Sequence, residues 1–263
     1  MVTDGVDFMD LTDLGARICE VLPHQVASGS YQMAFDAALL ERAAERGDRA
    51  VIRTYEWSKP TLSLGYFQKY ECIEGGDAMS VDAIVRRPTG GGAIRHDRDL
   101  TFAVVAPSVD RRSSRPAAYY RVVHGAIAAL LREQGVDASL RGAVDPVAQA
   151  DKPFLCFRDC DASDVVVSGV KIVGGAQRRT KDATLLHGSM RLRGVGSDCD
   201  LAGLADVSRG TDSVEFWARL FRERLPDLLG WERLDTEIDA DFGRRVRELA
   251  ERVFMTEEWT RKR

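Results

Sequence analysis

The sequence has few cysteines, no excess of basic charge and no long apolar run, and each absence excludes a class of protein. The five cysteines among 263 residues are scattered and odd in number, which favours free thiols over a disulfide framework. The net charge of −4 argues against a nucleic-acid partner, because nucleic-acid binders usually present a basic face. No stretch approaches the ~18 apolar residues of a membrane span, so we expect no membrane segment.

The chain ends and the histidines add three expectations. Residues 1–7 (MVTDGVD) are acidic and lack the basic start and apolar run of a signal peptide, so we expect a cytoplasmic protein with reduced thiols. The basic run at 261–263 (RKR) is interpreted as a solvated tail. The four histidines show no metal-ligand spacing with cysteine or carboxylate side chains, so we predict no metal.

Helix-like and strand-like patterns alternate along the chain and predict an α/β fold. Apolar residues at steps of three and four predict helices over 31–46 and 118–134, which Gly47 and Gly135 end. The β-branched run 164–173 contains a Ser-Gly pair and predicts a tight hairpin. Further strands are predicted at 50–55, 61–65, 81–86, 100–105 and 183–192, and C-terminal helices at 214–221 and 238–253, separated by Pro226 and Gly230.

Three consecutive glycines follow a predicted strand in the run 86–96 (RRPTGGGAIRH). Glycine lets the backbone approach a ligand closely and turn its N–H groups toward an anion or a developing oxyanion. The run lacks the Gly-Lys-Ser/Thr ending of a Walker A loop and is not a dinucleotide-binding fingerprint. Taken alone, it is equally compatible with a loose loop that binds nothing.

A lysine stands in the strand-like segment 169–179 (GVKIVGGAQRR). Strand alternation places Lys171 on the face opposite its two apolar neighbours, where it is either a surface residue or a ligand contact. The small residues Gly174, Gly175 and Ala176 leave room beside it. A long cation over such a floor can fix a carbonyl, carboxylate or phosphate oxygen.

Two thiols occur in the segment 153–160 (PFLCFRDC). Cys156 lies between two apolar residues, which is typical of a cysteine that only packs. The nearby cations Arg158 and Lys171 favour a second interpretation, a nucleophilic thiolate. Cys160 is a rival thiol.

The triplet 187–189 (HGS) contains the remaining candidate for acid–base chemistry. A single histidine can serve as a general base, a turn residue or a hydrogen-bonded core residue. For His187 we favour the structural role, which shapes a pocket.

Together these motifs resemble those of the biotin/lipoate protein ligase superfamily, which includes the lipoyl and octanoyl transferases. The resemblance rests on the runs 86–96, 169–177 and 187–189, and on WSKPTLSLGYFQ at 57–68 and MAFD at 33–36, which follow the family's order. It implies an α/β (α+β) fold of mixed, mainly antiparallel sheets flanked by helices. It also implies an N-terminal extension over 1–27 and a single catalytic domain over 28–263 that ends in helices.

Within this superfamily, a cysteine shortly before the lysine hairpin is similar to the cysteine-dependent octanoyltransferases. The resemblance implies that Cys156 carries the acyl group and that Lys171 is the second catalytic residue. The sequence departs from the family pattern at Ala103, Leu155 and Cys160. The implied substrate-binding residues are Arg86, Gly90, Gly91, Gly92, Ala93, His96, Gly174, Gly175, Ala176, His187 and Gly188.

The resemblance further implies transfer of an octanoyl or lipoyl group from acyl carrier protein to a lysine of a lipoyl domain, such as glycine cleavage H protein or a 2-oxoacid dehydrogenase E2. This transfer needs no cofactor, and we expect a monomer. The alternatives are an ATP- and Mg-dependent lipoate–protein ligase, an amidotransferase between lipoylated proteins, and a protein that binds lipoyl domains or acyl carriers without chemistry. Biotin ligation is disfavoured because no DNA-binding module is found.

Overall fold

A computed structural model describes residues 15–73, 80–108, 116–143, 153–194 and 201–263. The strands are β1 (Ile18–Val21), β2 (Gln25–Ala27), β3 (Arg49–Trp57), β4 (Thr61–Leu64), β5 (Ala83–Arg86), β6 (Ile94–His96), β7 (Asp99–Pro107), β8 (Ala138–Leu140), β9 (Val165–Val167), β10 (Val170–Arg179), β11 (Ala183–Arg191) and β12 (Glu232–Asp235). The helices are α1 (Gly29–Arg46), α2 (Pro116–Glu133), α3 (Leu204–Val207), α4 (Val214–Leu228), α5 (Ala240–Leu249) and α6 (Glu257–Thr260).

Two sheets carry the fold of the described residues. The large sheet has the order β12-β1-β3-β7-β11-β10-β9-β8, with β2 beside β3, and the small sheet has the order β5-β4-β6. Pairing is antiparallel from β3 through β8, whereas β1 pairs in parallel with both β3 and β12. The mixed, mainly antiparallel α/β fold is therefore confirmed. The described part of the predicted N-terminal extension contributes β1 and β2 to the large sheet, and residues 1–14 lie outside the described residues.

Helices cover both faces of the large sheet. One face packs against α2 and α4 in a core that includes Phe102, Leu130 and Trp217. The other face packs against α1 and α5 in a core that includes Met33 and Phe242. The small sheet has its own apolar cluster, which the segment around residue 156 joins.

The two long helices confirm the predicted ends. The side chain of Ser28 accepts a hydrogen bond from the N–H of Tyr31 and caps α1, and Gly47 ends the helix with a φ of 53°. Gly135, with a φ of 76°, follows α2. The predicted hairpin joins β9 to β10 through Ser168 and Gly169, which both have positive φ, as its tight turn requires.

The C-terminal region differs from the prediction at three points. Pro226 does not separate two helices but lies inside the last turn of α4. An exposed strand, β12, follows and was not predicted, since its four residues lack an apolar face. The stripe over 238–253 packs into the core as expected, although α5 begins at Ala240 and its continuation over 250–254 is a π turn.

The basic run at 261–263 is not a freely solvated tail. The ammonium group of Lys262 lies 4.8 Å from the ring centroid of Trp259, and the guanidinium of Arg261 lies 4.7 Å from that of Tyr70. The N–H of Tyr70 donates to the carbonyl oxygen of Arg263 at 2.7 Å. Cation–π contacts therefore hold these exposed side chains, Lys262 against Trp259 of α6 and Arg261 against Tyr70.

Candidate active site

The glycine loop, residues 88–92, joins β5 to β6 and is held by Arg87. The buried guanidinium donates from Nη2 to the carbonyl oxygens of Gly90 at 3.1 Å and Gly92 at 2.7 Å. Gly91 has a φ of 86°, which residues with a side chain rarely adopt. These contacts give the loop a defined shape, so the interpretation as a loose loop is wrong.

The end of the glycine loop contacts the segment that carries the candidate nucleophile. The N–H of Ala93 donates to the carbonyl oxygen of Phe154 at 2.8 Å, and the N–H of Cys156 donates to that of Ala93 at 2.8 Å. A Cβ at Gly92 would lie 2.8 Å from the backbone nitrogen of Cys156, which is closer than real Cβ atoms come. Glycine at 92 is therefore what allows the two segments to meet.

Cys156 begins a short 3₁₀ turn, Cys156–Arg158, and is buried beside Lys171 of β10. The Nζ of Lys171 lies 4.0 Å from the Sγ of Cys156 and donates to the carbonyl oxygen of the same residue at 3.0 Å. It also donates to the carbonyl oxygen of Asp159 at 3.2 Å and forms an ion pair with Oδ1 of Asp164 at 3.0 Å. The two predicted catalytic side chains are thus in contact.

The buried ammonium group of Lys171 stays charged. Burial lowers the pKa of Lys171, but the interactions with the sulfur of Cys156 and the carboxylate of Asp164 more than offset burial, so its pKa is raised. Burial also raises the pKa of Asp164, and Lys171 only partly opposes this. A Cβ at Gly174 would lie 2.6 Å from Cε of Lys171, so glycine provides the space that the lysine fills.

A narrow, partly open cavity lies between the large sheet and the small sheet, and Cys156 lines it. Met33, Trp57 and Ile94 give the cavity an apolar wall. Six of the predicted site residues line it, namely His96, Cys156, Gly175, Ala176, His187 and Gly188.

His187 fastens the glycine loop to a buried polar cluster. Its Nε2 is hydrogen-bonded to the hydroxyl of Thr89, and its Nδ1 lies 2.9 Å from Oδ2 of Asp36. Asp36 also accepts hydrogen bonds from Arg53 at 3.1 Å and from the hydroxyl of Tyr55 at 2.9 Å. Burial lowers the pKa of His187, which favours a neutral ring. These contacts agree with the structural role favoured for His187.

His96 forms part of the opposite wall. Its ring stacks on Trp57, with 4.0 Å between the ring centroids. Its Nδ1 lies 2.7 Å from Oδ2 of Asp99, and its Nε2 lies 2.8 Å from the hydroxyl of Ser63, which also accepts a hydrogen bond from Arg87. Burial lowers the pKa of His96 as well. Because both ring nitrogens are hydrogen-bonded within the protein, His96 shapes the cavity wall.

Arg86 is the predicted site residue that the structure places elsewhere. Its guanidinium donates to the carbonyl oxygens of Gly65 at 2.9 Å, Gln68 at 2.7 Å and Thr260 at 3.0 Å. Neighbouring strand residues point to opposite faces, so only one of two adjacent arginines can face the cavity. That residue is Arg87, and Arg86 instead joins the C-terminal helix to the loop after β4.

Gly175 of β10 pairs with Gly188 of β11. Because both lack a side chain, Phe102 can pack against Gly188 and His124 against Gly175. A Cβ at Gly188 would lie 2.5 Å from Cζ of Phe102, and a Cβ at Gly175 would lie 3.0 Å from Nε2 of His124 on α2. The Nδ1 of His124 lies 2.7 Å from the carbonyl oxygen of Ser163, and its Nε2 has no hydrogen-bond partner among the described residues. Sequence reasoning missed His124, since only the fold brings α2 to β10.

Sequence reasoning also missed Asp164, the ion-pair partner of Lys171. The signal lay in the hairpin itself, where Lys171 pairs with Val166 and Asp164 stands just before the paired residues. The rival thiol, Cys160, is half-buried, and its N–H donates to the side chain of Asp159 at 2.9 Å. Cys199 lies outside the described residues.

No group of three or more histidine, cysteine, aspartate or glutamate side chains in the described segments is arranged to hold a metal ion. No helix within them has the length and apolarity needed to cross a membrane.

The sequence matches one family model, the lipoyl protein ligase A/B catalytic domain, over residues 28–214. Among curated proteins, the chain is 36% identical to octanoyltransferase LipM of Anoxybacillus flavithermus, over 63% of this chain and 62% of that protein. It is 35% identical to octanoyltransferase LipM of Bacillus subtilis, again over 63% and 62%. The chain thus spans about 62% of the length of these curated relatives.

Solved structures give the same fold. The crystal structure of lipoate-protein ligase A bound with ATP has a TM-score of 0.76 and 24% identity, and the alignment covers 93% of this chain and 98% of that one. The protein Ta0514 from T. acidophilum, a putative lipoate protein ligase, has a TM-score of 0.72 and 26% identity, with 94% and 100% covered.

Proposed function

The chain belongs to the lipoyl protein ligase A/B catalytic domain family, and on this premise we propose that it is an octanoyltransferase. It moves an octanoyl or lipoyl group from a carrier protein, through a thioester on Cys156, to a lysine of a lipoyl-accepting domain. The observation that carries the proposal is the 4.0 Å distance from Nζ of Lys171 to Sγ of Cys156. A cation beside a cysteine stabilises the nucleophilic thiolate.

The first step exchanges one thioester for another. The thiolate of Cys156 attacks the carbonyl carbon of the octanoyl thioester, and an oxyanion forms. When the oxyanion collapses, the bond to the carrier sulfur breaks and the carrier leaves as its thiol after taking up a proton. The product is octanoyl-Cys156, and the step is nearly thermoneutral because the bond formed and the bond broken are of the same type.

The second step moves the acyl group to nitrogen. The neutral amine of the acceptor lysine attacks the thioester carbonyl, the bond to Sγ breaks, and the amine proton is lost. An amide and free Cys156 remain. An amide is more stable than a thioester, so the step is downhill and the cycle needs no ATP.

Two groups are suited to the developing oxyanion. The ammonium group of Lys171 can donate an N–H to the oxyanion if it gives up its hydrogen bond to the carbonyl oxygen of Cys156 or Asp159. Arg87 holds the carbonyl of Gly90, and because the peptide is planar and trans, the N–H of Gly91 points the opposite way. One such donor is typically worth ~2.7–4 kcal/mol in the transition state. The N–H of Ala93 is already bonded to Phe154 and is not a candidate.

The apolar wall of the cavity suits the hydrocarbon tail. Each CH₂ group buried from water contributes about 0.8 kcal/mol, so an eight-carbon chain gains several kcal/mol of binding from burial alone. The indole of Trp57 and the side chains of Met33 and Ile94 would contact this tail.

Intact-mass measurement tests the proposal. The protein is mixed with octanoyl acyl carrier protein, without ATP, beside the matched variants Cys156→Ala and Cys160→Ala. We expect an octanoyl adduct on the wild type and on Cys160→Ala, and none on Cys156→Ala. An adduct that persists in Cys156→Ala would overturn the assignment of the nucleophile, and no adduct on any of the three would overturn the transferase.

ATP-dependent ligation is the second candidate, since the structure of Ta0514, at 26% identity, is described as a putative lipoate protein ligase. In that reaction Lys171 would contact the acyl-adenylate and Cys156 would have no covalent role. Pyrophosphate exchange into ATP that depends on lipoate, together with full activity of Cys156→Ala, would favour the ligase. Absence of exchange would count against it.

A further inference from the structure

The C-terminal cations are held in fixed positions on one loop. The Nζ of Lys262 donates to the hydroxyl of Tyr66 at 3.0 Å. The guanidinium carbon of Arg263 lies 5.3 Å from the ring centroids of both Tyr66 and Phe67. Since the hydrogen bond and both charges stabilise the phenolate form, the pKa of Tyr66 is lowered.

The same loop adjoins the candidate active site. The ring of Phe67 would lie 3.6 Å from a Cβ at Gly90, so it covers the outside of the glycine loop. The side chain of Gln68 donates to the carbonyl oxygen of Phe154 at 2.9 Å, just before Cys156 in the chain. Lys262 and Arg263 therefore stand at the edge of the glycine loop, and Phe67 is 71% exposed between them and the loop.

Cations also flank the loop on its other side. The exposed Arg178, near the end of β10, donates to the carbonyl oxygen of Pro88 at 3.0 Å. The exposed Arg179 follows it. We call this surface the basic rim and define it by Phe67, Arg178, Arg179, Lys262 and Arg263.

Two cations of the rim, Lys262 and Arg263, differ from ion-paired arginines elsewhere in the described residues. Arg224 on α4 and Arg245 on α5 are exposed but paired with carboxylates, Arg224 with Glu133 and Arg245 with Glu41. By contrast, in the segments that the structure describes, Lys262 and Arg263 contact aromatic rings and a tyrosine hydroxyl. A net charge of −4 repels an acidic partner overall, so a local basic surface is needed to draw it to the site.

We propose that the basic rim is the docking surface for an acidic carrier protein that delivers the acyl thioester to Cys156. The inference rests on the proposed transferase function and adds where its donor binds. The thioester arm of a carrier protein contains a phosphodiester, which suits the cations beside the glycine loop.

Two thioester donors separate docking from chemistry. The double variant Lys262→Glu/Arg263→Glu is compared with the wild type using octanoyl acyl carrier protein and the small, neutral octanoyl N-acetylcysteamine. We expect kcat/KM for the carrier to fall by at least about tenfold, and the value for the small thioester to stay unchanged. Added salt should slow the wild type with the carrier and have much less effect on the variant.

A matched control reverses two paired arginines away from the rim, Arg219→Glu/Arg244→Glu, and should leave both rates unchanged. Equal carrier rates in the wild type and the rim variant would overturn the docking surface. Loss only in the transfer from octanoyl-Cys156 to a lipoyl domain would assign the rim to the acceptor and overturn the donor proposal. If the wild type takes an acyl group from neither donor, the proposed function itself has failed.

Discussion

The side chain of Lys171 fills the space that Gly174 leaves by having no side chain. A Cβ at position 174 would lie 2.6 Å from Cε of the lysine. Cε is near the end of a flexible side chain, so an alanine would move the lysine rather than unfold the strand. The ammonium group would then leave its positions 4.0 Å from the Sγ of Cys156 and 3.0 Å from Asp164. Gly174 therefore matters to the proposed chemistry through the room it leaves.

The first prediction concerns Gly174→Ala. Misplacing a catalytic group by about 1 Å can cost on the order of 10²-fold in rate, and we expect a loss of that order in the single-turnover acylation of Cys156. Because the lysine also leaves its buried ion pair with Asp164, the unfolding temperature should fall as well, and the rate is therefore measured well below that temperature. The matched control is Gly125→Ala in α2, where a Cβ would meet nothing within 4 Å and alanine should not lower the rate. Equal acylation rates for both variants would show that the position of Lys171 does not affect the acylation of Cys156.

The second prediction concerns Asp164→Asn. The carboxylate of Asp164 helps to raise the pKa of Lys171 and so keeps the ammonium charged at alkaline pH. Without it, the pKa of Lys171 falls, and the alkaline limb of the acylation rate should move to lower pH. The pH profile of the acylation burst measures this shift. The control is Asp182→Asn, which alters only an exposed pair with Lys181 and should keep the wild-type pH profile. If the alkaline limb of the acylation rate does not move in Asp164→Asn, the prediction is contradicted.

Sequence patterns predicted the parts of the site that depend on neighbours along the chain. The glycines at 90–92 indicated a close backbone approach, and Gly92 makes one with Cys156. The small residues after Lys171 indicated room for a long cation, and Gly174 provides it. Helix ends and the Ser-Gly hairpin followed from backbone preferences of single residues, which need no tertiary information.

Contacts between distant segments could not be predicted from one sequence. Alternation places Arg86, the last residue of β5, and Arg87, which follows it, on opposite sides of the chain but does not say which side borders the cavity. His124 meets Gly175 only because α2 packs on β10. The strand β12 escaped prediction because its four residues are exposed and three of them are charged, so its pairing with β1 leaves no apolar pattern.

The third prediction concerns the stability of the buried pair Asp36–Arg53. Both side chains are almost completely buried, and Asp36 also accepts a hydrogen bond from Tyr55. Asp36→Ala would leave the arginine charge buried and uncompensated, which typically costs about 3–5 kcal/mol. Urea unfolding should show a loss of this size. The exposed pair Arg219–Glu223 provides the control, since Glu223→Ala should change stability very little, and an equally mild effect of Asp36→Ala would refute the account.

The fourth prediction concerns pH and His124. Burial lowers the pKa of His124 from 6.5 to about 4, and Lys171 adds to this, although the carbonyl of Ser163 and the charge of Asp161 oppose it. The folded protein therefore keeps this ring neutral, whereas the unfolded chain takes up a proton below pH 6.5. Its contribution to stability is complete above about pH 6.5 and is lost as the pH falls toward 4. The loss amounts to at most about 3 kcal/mol.

Replacement of His124 by glutamine isolates this contribution, because the glutamine amide can still donate to the carbonyl oxygen of Ser163. Urea unfolding of the wild type and of His124→Gln is compared at several pH values between 4 and 7. Other groups titrate equally in both proteins, so the difference between the two curves reports His124 alone. We expect the free energy of unfolding to fall more steeply toward pH 4 in the wild type. Parallel curves would show that the ring is not held neutral beside Gly175.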